Sequence, residues 1–253
     1  MRSIAVSLTS AVIVAVLVWF ALGWIAALIP LLLVFGGVQF FMTRRIGQFV
    51  EAELKAVPAL LGARKIAEAD AVLVGVAKRW GPWQPMLTGQ LEGQRGLLLY
   101  VQMKFDEALP MLKRGTFQNW MAHASIACIY WRKGQKADAI KSFEAAAGVS
   151  AKESMIYVLW GVLLYDDGQA PAAATALGRG LTALPGHSLL SQLHKAVANK
   201  GKVDRARLPE TWLQFWPEDL AKQMRVGGRK GGPDPRFPVQ ATPKLSAKNA
   251  PRR

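Results

Sequence analysis

An all-α fold is predicted for this chain: an N-terminal transmembrane hairpin of two apolar spans, a short helical superhelix and a disordered basic tail. Three observations predict it. From Ser3 to Met42, forty residues pass without one Asp, Glu, Lys, Arg or His. Between about residues 86 and 187, small and aromatic residues return at helical spacing with a 34-residue period. From Gly227 onward the chain holds four glycines, five prolines and few apolar residues, a composition that cannot bury a core.

The N-terminal stretch comes first. A single helix of forty residues would run about 60 Å, twice the hydrocarbon thickness of a bilayer. Two spans fit better, at Ile4–Phe20 and Ile25–Met42, turning through Ala21, Leu22, Gly23 and Trp24. Trp19, Phe20 and Trp24 gather at that turn, where amphipathic rings favour the interface, and Phe40 and Phe41 mark the other side. Pro30 falls inside the second span, where a kink is tolerated. Arg2 precedes the first span and Arg44 and Arg45 follow the second, while the turn carries no charge. Positive-inside bias then puts both ends in the cytoplasm, with residues 44–253. The expected location is integral to a membrane of the bacterial inner-membrane type, with the lipid bilayer as one partner. Two alternatives stand beside this. A cleaved signal peptide would need a small-residue cleavage site before a polar start, and none is seen. One crossing span with a half-buried second would send the domain outside.

Residues 44–85 read as an irregular helical linker. Ile46, Phe49, Val50, Leu54 and Val57 keep helical spacing until Pro58, and a second helix is expected from Gly62 to Trp80. Gly81-Pro82-Trp83-Gln84-Pro85 then breaks the chain.

The repeat domain is expected over residues 86–203. Gly134 and Gly168 are 34 residues apart, as are Ala127 and Gly161, and Ala139 and Ala173. One copy reads Ile126, Ala127, Tyr130, Ala139, Phe143 and Ala146; the next reads Trp160, Gly161, Leu164, Ala173, Leu177, Gly180 and Pro185. A weaker copy, Gly96, Leu99, Ala108, Leu112 and Gly115, precedes its neighbour by 31 residues. Small residues at these places let paired helices cross closely, and the glycines suit a left-handed turn between them. One pair cannot bury its own apolar face, so about three must stack. Gly186–Lys200, with Leu189, Leu190, Leu193 and Val197, reads as a capping helix. Over residues 86–187 this pattern resembles the tetratricopeptide repeat family.

That resemblance implies a binding function. The first helix of each pair would line a concave face, with Tyr100, Trp131 and Tyr165 meeting there among Met121, Ala124, Cys128, Val158 and Val162. The other reading of these side chains is inter-helix core. Groove positions that hold a carboxylate clamp in some members are Gly93, Leu97, Ala124, Cys128, Val158 and Val162 here, so a protein partner with an apolar helix or segment is expected instead. The implied role is a membrane-anchored scaffold or adaptor. A permanent subunit of a secretion, pilus or envelope-synthesis machine is the alternative.

Composition limits other functions. The formal charge is +15, but residues 221–253 hold nine Lys or Arg against Asp234 alone, while residues 44–220 hold twenty-two basic against sixteen acidic side chains. The basicity is mainly in the tail, which argues against a nucleic-acid groove in the body and suits either anionic lipid or a role in solubility alone. The lone cysteine, Cys128, excludes an internal disulfide framework and reads as a small core or groove filler. His123, His187 and His194 are isolated, Asp166-Asp167 reads as a solvated helix end, and no phosphate loop or nucleophile motif occurs. No cofactor, metal or catalytic residue is expected.

After Gly201 the character changes. Leu208–Met224 could form one short helix limited by Pro217, with Trp212, Phe215, Trp216 and Leu220 on an apolar side. Two placements are expected for it: folded back over the apolar groove, or resting on the membrane interface.

Overall fold

In the computed structural model, every regular element among the described residues is a helix. The described residues are 2–218 except 23, 64, 85, 204, 206 and 207; of residues 3, 15, 17–22 and 24–31 only the helical backbone is described. The basic tail and Leu220 lie outside them, as do the side chains of Trp19, Phe20, Trp24 and Pro30.

Helices α1 (Arg2–Leu22) and α2 (Trp24–Leu54) form an antiparallel hairpin. The turn is shorter than the four residues expected, since only residue 23 separates the two helices. Ser7 and Ala11 are buried between them, and the Ser7 hydroxyl donates to Gln39 Oε1 at 2.9 Å, so polar atoms in this apolar stretch satisfy one another. Thr9 and Ser10 hydroxyls donate to carbonyls of their own helix. The outer surface is apolar: Leu32 and Leu33 are each 70% exposed and Phe40 is 68% exposed. Among the described residues no helix is long and apolar enough to cross a membrane. Those with described side chains stop at residue 16 in α1 and resume at Leu32 in α2, so neither expected span, Ile4–Phe20 nor Ile25–Met42, is covered whole.

The second helix does not end at Met42. Nothing between Thr43 and Leu54 breaks a helix, and Ile46 and Val50 continue its apolar face, so α2 runs on into the next layer. Helix α3 (Ala56–Gly62) carries Pro58 as its third residue, where the missing N–H costs little, so Pro58 does not end a helix as the sequence suggested. Helix α4 (Ile66–Trp80) begins four residues later than expected. The presumed linker is therefore a packed layer. Ile46, Val50, Leu73 and Val76 form one core with Leu87 and Leu91. Phe49 stacks on Trp80 with centroids 5.5 Å apart, and Glu53 accepts from Trp80 Nε1 at 3.1 Å and from Arg79 at 2.9 Å. Arg2 N–H donates to Pro82 O at 2.6 Å, and its guanidinium lies over the Trp83 ring, which ties the start of α1 to the α4–α5 turn.

Helices α5 (Leu87–Val101), α6 (Phe105–Arg114), α7 (Trp120–Arg132), α8 (Lys136–Val149), α9 (Ser154–Asp166) and α10 (Ala170–Ala183) form three antiparallel pairs, followed by α11 (Ser188–Ala198) and α12 (Thr211–Phe215). Arg95 joins α5 to α4 through a two-point contact with Asp70, at 2.6 and 3.1 Å.

The same turn closes α5, α7, α9 and α11. Gly134 N–H donates to Trp131 O at 3.0 Å and Gln135 N–H to Tyr130 O at 2.9 Å. Equivalent pairs of bonds form at Met103 and Lys104, at Gly168 and Gln169, and at Lys200 and Gly201. This is the arrangement in which a left-handed residue satisfies the last helical carbonyls. The four left-handed residues have φ of +62° at Met103, +74° at Gly134, +79° at Gly168 and +51° at Lys200. Only two of the four are glycine. Met103 is half exposed and strained for an L side chain, so Met103→Gly should stabilise the chain by about 0.5–1 kcal/mol. Chemical denaturation of the full chain in mild detergent would read that gain; a loss would contradict this account of the turn.

The 31-residue spacing also finds its cause. Helix α6 has 10 residues where α8 and α10 each have 14, and one extra residue in the following loop leaves the net deficit at three. The missing turn brings Gly115 onto Gly93: a Cβ at Gly115 would meet Gly93 Cα at 2.1 Å. Farther along, small residues face large ones across each pair. A Cβ at Gly96 would meet Leu112 at 2.9 Å, and one at Gly161 would meet Leu177 at 2.5 Å. Ala127 and Phe143, at the equivalent places of the middle pair, are wholly buried.

Candidate protein-binding face

The first helices of the pairs, α5, α7 and α9, carry the residues of the predicted face, and these residues lie in or against one hydrophobic core, as the inter-helix reading of them expected. Of them, Tyr100, Cys128, Val158 and Val162 are buried, whereas Met121, Trp131 and Tyr165 are half-buried. The cause is at the C-terminal end of the chain. The described residues between Gly201 and Glu218 lie across these helices, and from Met155 to Leu164 every residue of α9 is buried.

The contacts are specific. Tyr165 Oη donates to Gly201 O at 2.9 Å where the return begins. Arg205 pairs with Asp166 on the surface. Thr211 then meets the Met155 sulfur at 3.6 Å, and Trp212 and Phe215 are buried, with Phe215 against Trp120 at 6.2 Å between ring centroids. Trp212 and Trp216 stack on each other at 6.0 Å. At the far end, Tyr100 Oη donates to Phe215 O at 2.6 Å, and Arg132 Nη2 donates to the same carbonyl at 2.7 Å. Helix α12 ends at Phe215, and Tyr100 and Arg132 donate to its last carbonyl.

Arg132 is the centre of the site. Its Nε and Nη2 hold Glu218 in a two-point ion pair at 2.7 and 2.9 Å, and Nη1 donates to Tyr100 Oη at 2.8 Å and to Cys128 O at 3.2 Å. The guanidinium lies 4.0 Å from the Trp216 ring centroid and 4.6 Å from that of Phe105. Weak hydration and a planar fork suit Arg, and not Lys, to such a partly buried place. Neither Arg132 nor Glu218 figured in the sequence-based list, because a repeat pattern records small and apolar positions and says nothing of a charge at a helix end.

Beneath this pair, burial pushes the Tyr100 hydroxyl well above the ordinary tyrosine range, with Arg132 pulling the other way. Burial likewise pushes the Cys128 thiol up to about 12. Cys128 is a filler, protonated and out of reach of reagents. Both groups have folded-state pKa values above those of the unfolded chain, so the folded state binds more protons as the pH climbs between the two. The Cys128 contribution is full at neutral pH and is lost from about pH 9 to about pH 12, and that of Tyr100 is lost only above the ordinary tyrosine range. Stability should fall across that window, and Cys128→Ala should make the fall shallower; urea midpoints at a series of pH values measure it.

Elsewhere, the titratable groups that the sequence assigned to no site are held within the fold. His187 caps α11, its Nδ1 accepting from Leu190 N–H at 3.4 Å. Burial lowers the His123 pKa. Asp167, rather than being merely solvated, pairs with Lys136 and accepts from Gln169 at 2.7 Å; the Lys136 bond draws its pKa down. No group of three or more His, Cys, Asp or Glu among the described residues could hold a metal ion. Arg2, Arg44 and Arg45 lie at the hairpin end that joins the packed layer; Arg45 rests over the Phe49 ring at 5.9 Å.

No known protein family matches the chain, and no curated protein matches it. The functional reading rests on the face itself and on the apolar hairpin beneath it.

Proposed function

We propose that this chain is a membrane-anchored scaffold that binds other proteins through a tetratricopeptide-like domain held at the cytoplasmic face of the membrane. The observation that carries the reading is the way α5, α7 and α9 hold a peptide. They bind the segment 208–218 by its aromatic side chains, a main-chain carbonyl and a carboxylate, which are groups that a segment of a partner protein can also offer. The anchoring half of the reading is supported by the uncharged run from Ser3 to Met42 and the apolar outer surface of the hairpin. Such a surface exceeds what proteins in water commonly leave exposed. Catalysis by the chain itself forms no part of the proposal, nor does nucleic-acid binding. The basic tail, near an anionic leaflet, would add about 1 kcal/mol of attraction per charge close to the surface.

The continuity of α2 gives the anchor a mechanical consequence. The helix that carries the second apolar stretch also contributes Ile46 and Val50 to the core next to α5, so the domain would be held at a fixed height and tilt. A flexible tether would instead let the face sample many orientations.

One feature favours the second reading, a permanent subunit of a membrane machine: the face is already filled in the isolated chain. Purifying the full chain from membranes in mild detergent separates the two. Several proteins bound weakly and in exchange support the scaffold; one partner at fixed stoichiometry through every column supports the subunit.

A further inference from the structure

The segment on the face is itself information about what the face accepts. We infer that residues 208–218 are a displaceable occupant, and that the partner replacing them carries two aromatic side chains about one helical turn apart and, within a few residues, a carboxylate that closes on Arg132. This rests on the reading of α5, α7 and α9 as a protein-binding face.

Two observations carry the inference. First, the polar contacts at the far end are peptide-reading contacts. Tyr100 and Arg132 both donate to the Phe215 carbonyl, at 2.6 and 2.7 Å, and Arg132 grips Glu218 at two points. A carbonyl is present in any occupant, so only the carboxylate and the two rings are specified. Second, the fit is incomplete: Trp216 Nε1 is buried without a hydrogen-bond partner. A partner with an acceptor there, or a ring without a donor, avoids that penalty.

A tethered segment acts at an effective concentration of about millimolar, so a weak intrinsic fit keeps the face covered until a better-matched segment arrives. The device makes binding selective. Apolar segments without the carboxylate would face the same competitor and gain nothing from Arg132.

The test uses the full chain in detergent and, as probe, a labelled synthetic peptide of residues 208–220. Glu218→Arg places like charges together at the rim of the face, where Glu218 is 34% exposed, so the variant should fold while its own segment loosens. The peptide should bind Glu218→Arg at least tenfold more tightly than it binds the unaltered chain. A peptide with Gln in place of Glu218 should lose most of that gain, as should the intact peptide on a chain carrying both Glu218→Arg and Arg132→Gln. Equal, weak binding to both chains at unchanged helicity would overturn the inference. So would a Glu218→Arg chain that unfolds as a whole earlier and still takes no peptide, because the segment would then be fixed structure. Either failure would leave the detergent purification of partners unaffected, so the two readings fail separately.

Discussion

Replacing Arg132 by Met will cost about 2–4 kcal/mol and free the C-terminal segment from the repeat face. The estimate follows from what is left behind. Met fills part of the volume and keeps some contact with Trp216 and Phe105, so little of the loss is packing. It donates nothing, however. The Phe215 carbonyl keeps only Tyr100 as a donor, and the Glu218 carboxylate loses its two-point partner. Glu218 is 34% exposed in its side chain and recovers some hydration, which holds the cost below that of a fully buried pair. The melting midpoint should fall by roughly 5–10 °C. Arg132→Lys should recover less than half of the loss, because an ammonium cannot make the two-point contact. Hydrogen exchange localises the effect: residues 208–218 should exchange faster in Arg132→Met, while α8 and α10 should change little. Faster exchange spread evenly over the domain would mean that Arg132 supports the fold generally and not the seating of this segment.

Gly115→Ala will be more damaging than its single methyl suggests, at about 3 kcal/mol or more. The new Cβ would lie 2.1 Å from Gly93 Cα, 2.5 Å from Gly93 N and 2.9 Å from Gly89 O, all main-chain atoms that cannot rotate away. Relief requires α5 and α6 to separate, and that exposes the Gly96–Leu112 contact as well. Gly134→Ala provides the contrast. Nothing lies within 4 Å of a Cβ there, and the cost is only that of holding an alanine at φ +74°, about 1 kcal/mol. Denaturant midpoints for the two variants should therefore differ by a wide margin. If Gly115→Ala proved as mild as Gly134→Ala, the close approach of the first pair would be wrong.

Much of the fold was legible because its signals are local. The small-residue positions, the left-handed glycines and the apolar periodicity each constrain a few neighbouring residues, and together they place the turns at Gly134 and Gly168 and the capping helix α11 to within two residues. The first pair was harder to read, since its turn uses Met103 in place of glycine and its second helix lacks a turn. Both departures are compensated by long-range contacts, Gly93 with Gly115 above all, which no local pattern reports. The linker was misread for a similar reason. Pro58 is a breaker inside a helix but harmless in a first turn, and only the position of the helix start decides which applies.

The candidate face was partly legible. The apolar character of α9 on every side, from Met155 to Leu164, is the mark of a helix covered all round. Three aromatics after the capping helix supplied a cover. That pairing made a folded-back segment one of two expected placements, and Trp212 and Phe215 are indeed buried on the face and not laid on a membrane surface. The polar latch was beyond reach. Arg132 and Glu218 are 86 residues apart and neither belongs to a motif; their partnership exists only once the paired helices and the return of the chain are in place.

The central claim, a protein-binding domain carried on a membrane hairpin, is tested most directly by where two points of the chain lie. Arg2 touches the Pro82–Trp83 turn, so the start of α1 and the domain share one end of the hairpin. Reporter fusions made after residue 23 and after residue 200 should therefore report opposite sides of the membrane, with residue 200 in the cytoplasm. An exported reporter at residue 200, or both reporters on the same side, would contradict the account.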